Sequence, residues 1–137
     1  MMTIKKDLEI RVNGDMAYFT EKFYVYQNDR GIDLNIKINM SKSQIGSKNT
    51  SFLSEFNGVS AGAIILKPNG NVIGRKGITI SNGVMKFTID HSLTDELDEI
   101  GIYNIQFHLY DEKDNRITIP PVTFEVKELI GIIPDTF

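Results

Sequence analysis

Apolar and polar residues alternate with a period of two along much of this chain. In GIDLNIKIN, Ile32, Leu34, Ile36 and Ile38 fall on one side, and Asp33, Asn35, Lys37 and Asn39 on the other. Successive side chains of a strand point to opposite faces, so this text predicts a strand with one wet face. The same beat runs through DLEIRV (Leu8, Ile10, Val12), MKFTI (Met85, Phe87, Ile89), Tyr103–Leu109 and TFEV (Phe124, Val126). FYVY, at Phe23–Tyr26, is apolar on both faces. Either this strand is covered on both sides, or one pair, Tyr24 with Tyr26 or Phe23 with Val25, forms an outward apolar stripe. Such a stripe marks a candidate interface.

Turn chemistry separates these runs. KPNGN (Lys67–Asn71) supplies Pro where φ near −65° is wanted and Asn-Gly where φ turns positive. SNG (Ser81–Gly83), between GITI and VMKF, predicts a two-residue hairpin. DEKDN (Asp111–Asn115) predicts another, between Tyr103–Tyr110 and a return strand Ile117–Val126 that Pro120 and Pro121 interrupt as a bulge, kink or edge. A further strand spans Val59–Leu66, after a long polar loop at Ser41–Phe52. In HSLTDELDEIG, Ser92 or Thr94 can cap a short helical turn with acids in its first turn, and Gly101 ends it. Short strands with turns at this spacing favour an antiparallel sandwich or barrel over βαβ units.

Composition narrows the function. The 137 residues fit one domain with its own apolar core. There is no cysteine, so disulfides, thiolate metal sites and a cysteine nucleophile are excluded. A net charge of −3, with no concentrated basic face, disfavours nucleic acid. No apolar run approaches a membrane span, and residues 1–15 lack a signal peptide's apolar stretch.

Catalytic and metal constellations are not apparent in the text. A calcium loop needs oxygen ligands at alternate positions, and in DEKDN the ammonium of Lys113 stands where one belongs. His91 and His108 have no zinc-helix spacing, and His108 should lie on the wetter face of its strand. GVSAG lacks the pattern of a nucleophile elbow, and no phosphate loop or dinucleotide fingerprint occurs. The acids Asp90, Asp95, Glu96, Asp98 and Glu99 read as a solvated surface around the helical turn. No cofactor, metal or catalytic residue is assigned.

The order of motifs resembles the N-terminal domain of the phage baseplate upper protein family, from siphophages of Gram-positive hosts. An F-Y segment leading to L-x-I-x-I falls on Phe23–Ile38, and an A-x-I-x-L hairpin on Ala61–Gly70. The remaining elements fall on Gly83–Asp90, Thr94–Leu97, Gly101–Leu109 and Thr123–Val126, with Asp90 where members often carry Pro. The resemblance implies an all-β, immunoglobulin-like antiparallel β-sandwich with one short helical turn and no enzymatic activity. It implies a domain at residues 1–130 and an exit segment at 131–137. It also implies a structural role in a phage or prophage tail baseplate, anchoring the host-adsorption apparatus. The implied partners are other baseplate and tail proteins and a receptor-binding protein, with homotrimers in the full-length protein. The implied location is the virion, assembled in the host cytoplasm. From the residues themselves, an immunoglobulin-like carbohydrate-binding or adhesion module is the alternative, using Tyr24, Tyr26 or Tyr110.

Overall fold

The computed structural model describes residues 4–40, 60–110, 113 and 115–128. The polar stretch Ser41–Phe52, the exit segment 131–137, and Asp111, Glu112 and Asp114 of the acidic turn lie outside the described residues.

The chain is mostly β, with one short helix. Its elements are β1 (Ile4–Asn13), β2 (Met16–Phe19), β3 (Tyr24–Tyr26), β4 (Ile32–Met40), β5 (Ser60–Leu66), β6 (Val72–Ser81), β7 (Val84–Ile89), α1 (His91–Glu96), β8 (Gly101–Tyr110), β9 (Arg116–Thr118) and β10 (Val122–Lys127). The strands follow one path, β2-β1-β4-β7-β6-β5-β8-β10-β3, with β9 also paired to β8. Two pairings are parallel, β1 with β4 and β10 with β3. The sheet is therefore mixed and single, which corrects the antiparallel, two-sheet immunoglobulin-like sandwich. A period-two pattern fixes which face is wet but carries no information about the direction of the neighbouring strand.

The sheet curls strongly, so that aromatic rings from its two ends come into contact. Phe19 of β2 lies edge-on to Phe23 at 5.8 Å between ring centres, Phe23 lies 5.9 Å from Phe124 of β10, and Phe124 stacks on Tyr103 at 5.3 Å. The concave side is the core. Ile32, Leu34, Ile36 and Ile38 are all buried, as the alternation requires, and so are Met85, Phe87 and Ile89. Fully burying each such side chain contributes about 1.5–3 kcal/mol relative to leaving it in water.

The turns follow the sequence. Asn82 and Gly83 both have positive φ, 54° and 74°, the signature of the tight hairpin turn joining β6 to β7. The Lys67–Asn71 turn is closed by Lys67 N–H donating to Asn71 O and Gly70 N–H donating to Lys67 O, both at 2.9 Å. Within β6, Gly77 takes φ +72° where the ladder to β5 shifts register, an αL position that suits glycine. β8 and β9 pair as the predicted hairpin, with Tyr110 opposite Arg116. Between Thr118 opposite His108 and Val122 opposite Ile105, the return strand uses one residue more than β8. Pro120 and Pro121 sit in that bulge, where no ladder donor is lost.

The helix begins earlier than the sequence reading places it. Asp90 is its N-cap, with its carboxylate accepting from Leu93 N–H at 2.8 Å. Its first turn holds no acid, so Asp95 and Glu96 lie near its end, not at the positive pole of its dipole. Thr94 is not a cap: its buried hydroxyl donates to Asp29 O at 2.6 Å, tying α1 to the β3–β4 connection.

Candidate protein-interaction surface

The pleat resolves the ambiguity of FYVY. Phe23 and Val25 are buried, whereas Tyr24 and Tyr26 face outward at 37% and 40% exposure. Of the four candidate interface residues, two belong to the core and two to the surface. The two tyrosine rings meet edge-to-face at 5.7 Å, and Lys127 Nζ lies 4.0 Å from the Tyr24 ring centre. Lys6 Nζ approaches the rings of Phe23 and Tyr24 at 5.7 Å and 5.9 Å. An ammonium over an aromatic face is held by the ring quadrupole.

A separate band of exposed apolar residues lies on the outer face of β6, β5 and β8. On the outer face of β5, Ile64 and Leu66 are exposed, Val72 of β6 pairs directly with Leu66, and Ile102 of β8 is also exposed. Ile102 pairs with Glu125 of β10, and Glu125 in turn with Tyr24. The band therefore crosses β6, β5 and β8, and Glu125 of β10 stands between it and the two tyrosines. Val72 at 62% and Ile102 at 52% exposure leave more than half of their surface in water. The sequence reading missed Ile64, Leu66 and Val72, although AIIL shows the same lack of polar alternation that singled out FYVY.

The rim of the band is polar and internally paired. Lys67 Nζ bonds Asp98 Oδ1 at 2.6 Å. That bond raises the Lys67 pKa above its ordinary value and lowers that of Asp98. Arg75 bonds Glu96 and, at 3.4 Å, Ser92 Oγ. The outer face over β1, β4 and β7 differs: it is a broad concavity of about 1030 Å³ lined by cationic and anionic side chains alike. There Asn35 donates to Asp7 Oδ1 and Thr88 to Asp33 Oδ1, at 3.1 Å and 2.8 Å. Water competes well for such groups, so the apolar band is the better docking surface.

The histidines stand apart from each other. His91 opens α1. His108 is half-buried on β8, with Nδ1 3.0 Å from Thr118 Oγ1. Its Nε2 is buried without a hydrogen-bond partner among the described residues. Burial first, and the Arg116 charge second, hold its pKa below the usual 6.5. No group of three or more His, Cys, Asp or Glu side chains placed to hold a metal ion occurs among the described residues. No helix among them is long and apolar enough to cross a membrane.

No protein-family model matches the chain, and no curated protein matches it. A solved structure does. With a TM-score of 0.55 and 12% sequence identity, and covering 92% of this chain and 98% of the other, the fold is similar to the N-terminal domain of phage TP901-1 ORF48.

Proposed function

We propose that this protein is a non-enzymatic structural module of a phage or prophage tail baseplate, holding the host-adsorption apparatus in place through protein–protein contacts. The observation that carries the reading is the fold likeness to a phage domain along nearly the full length of both chains. The motif order that resembles the baseplate upper protein family supports it independently. The proposed partners are other tail and baseplate proteins and a receptor-binding protein. The proposed location is the virion, after assembly in the host cytoplasm, and a homotrimer belongs to the proposal for a longer protein.

The apolar band is the contact this reading assigns to docking. Ile64, Leu66, Val72 and Ile102 are each about half exposed. Covering the remainder yields on the order of 1 kcal/mol per side chain. Four of them supply about 4 kcal/mol, equivalent to a millimolar Kd before ordering costs. One copy alone would bind weakly, so stable attachment draws on several copies at once.

An adhesion module is less well supported, because a sugar needs an open aromatic face and Lys127 covers one face of Tyr24. The test is to purify tail particles from the native host and identify this chain by mass spectrometry. It should co-purify with the tail, and Leu66→Glu with Val72→Glu should abolish incorporation while the protein stays folded. Absence of the chain from intact tails, or sugar binding abolished by Tyr24→Ala, would reject the reading.

A further inference from the structure

The curled sheet does not close completely. β2 pairs with β1 only at Ile10–Asn13, and the last bond of that edge is Thr20 N–H to Glu9 O at 2.9 Å. Backbone groups alternate in direction along a strand, so Asp7 and Lys5 aim theirs to the same side as Glu9. There β2 has already turned away, and no described strand pairs with them. Across the gap, Gln27 N–H bonds Lys127 O and Glu125 N–H bonds Phe23 O. The odd residues of that segment therefore serve β10, and Tyr24 and Tyr26 aim their groups at the gap. Tyr26 is already capped, by Asp29 Oδ2 on its N–H and by Asp29 N–H on its carbonyl, both at 3.1 Å. Tyr24 ends the strand path with no described strand beyond it.

Between these edges lies a cleft of about 260 Å³, lined among others by Lys6, Leu8, Phe23 and Tyr24. Ile4 lies on the same side of β1 as the buried Ile10 and Val12, yet it is 57% exposed, so the core is incomplete at this end. The cleft lining carries Lys6 and Lys22 against Asp7 and Glu21, and Lys127 on the Tyr24 ring adds a third cation. The ion pairs among the described residues are Arg11–Glu9, Lys67–Asp98 and Arg75–Glu96. Lys6 and Lys127, on the Tyr24 ring, are in none of them. Asp7 is engaged by Asn35.

We propose that this notch receives an extended, acidic peptide segment of a neighbouring protein as an added strand. Unpaired backbone groups on both sides call for a peptide, which alone presents donors and acceptors at strand spacing. The uncovered Ile4 calls for an apolar residue facing inward. Lys6 stands on the core side of β1 between Ile4 and Leu8, and its Nζ reaches the Tyr24 ring, so together with the outward Lys127 it calls for a carboxylate beside Tyr24. The added strand lies between one edge it parallels and one it opposes, and Asp29 limits it to a few residues. This deepens the docking role proposed above by naming how a partner engages, and it rests on that role.

The test titrates the isotope-labelled protein with acetyl-Val-Glu-Val-Glu-Val-amide and with its Lys-for-Glu counterpart, following backbone amide resonances. The expected result is saturable shifts at Lys5, Asp7 and Tyr24, with the acidic peptide at least tenfold tighter. Lys6→Glu with Lys127→Glu should reverse that preference. Tyr24→Pro removes the N–H facing the notch, at an edge position that tolerates proline. It should abolish binding without lowering the melting temperature, whereas Tyr24→Phe should retain binding. No shift at those amides, equal affinity for the two peptides, or full binding by Tyr24→Pro would overturn the proposal. Those results would leave the tail assignment standing, since that is decided by the presence of the protein in tail particles.

Discussion

Replacing Tyr103 with Phe removes one oxygen and leaves the ring. That ring is completely buried and stacked on Phe124 at 5.3 Å, at an interplanar angle of 22°. The oxygen serves two bonds: it donates to Glu99 O at 2.8 Å and accepts from Glu99 N–H at 3.1 Å. Together they hold the segment between α1 and β8 against the sheet. A neutral hydrogen bond contributes about 0.5–1.5 kcal/mol net. Glu99 is half-buried, so water replaces part of the loss. Tyr103→Phe should cost about 1–2 kcal/mol, a fall in Tm of roughly 3–8 °C for a domain of this size. Urea unfolding should show a lower midpoint with an unchanged m value, because the surface exposed on unfolding is the same.

The same residue makes a pH prediction. Burial pushes the Tyr103 pKa above its ordinary 10.0. A folded-state pKa above the unfolded one means that the folded protein holds the proton more tightly. The stabilisation is complete below the ordinary value and is lost as pH rises through the raised one. Wild type should therefore lose stability on the alkaline side more steeply than Tyr103→Phe. A variant within about 0.3 kcal/mol of wild type at neutral pH, with a parallel alkaline limb, would refute the claim that the hydroxyl holds this segment.

Three further perturbations test other parts of the fold. His108 has a depressed pKa, so the unfolded state takes up a proton first as pH falls through 6.5. Stability should decline from there until the folded ring itself protonates, and His108→Gln should flatten that decline in urea midpoints taken at neutral and mildly acidic pH. Thr94→Val leaves Asp29 O without its donor in a partly buried setting and should cost about 1–3 kcal/mol, measured by thermal melting, whereas Thr94→Ser should recover most of it. Gly77→Ala meets nothing within 4 Å, so any cost comes from its φ of +72°. That cost should be about 1–2 kcal/mol in chemical denaturation.

Local order was legible where one side chain's chemistry decides it. Asn82-Gly83 demands positive φ at two successive residues, and Ile32 to Ile38 demand one dry face, so hairpin and strand could be placed without a partner strand. Pairing between distant strands was not legible. β1 lies parallel to β4 at a separation of 28 residues, Ile4 opposite Ile32, and no local propensity encodes that choice. The helix cap was misplaced because Asp90, Ser92 and Thr94 all have capping side chains. Backbone geometry, with Leu93 N–H aimed at Asp90, selects among them. At the candidate surface, the sequence found Phe23–Tyr26 but could not divide it. Both faces are apolar there, and only the register with β10 turns Val25 inward and Tyr24 outward.

The link between β2 and β3 has a mechanical consequence. Phe19 and Tyr24 stand at opposite ends of a path of nine strands. Laid flat, eight strand spacings would separate them by about 38 Å. The five residue steps between them reach at most about 18 Å when fully extended. The covalent chain is thus a strap across the mouth of the sheet, and its length sets an upper limit on how far the sheet can spread. Lengthening the strap would relax that limit without removing a single side-chain contact. Shortening it would tighten the notch between β1 and β3.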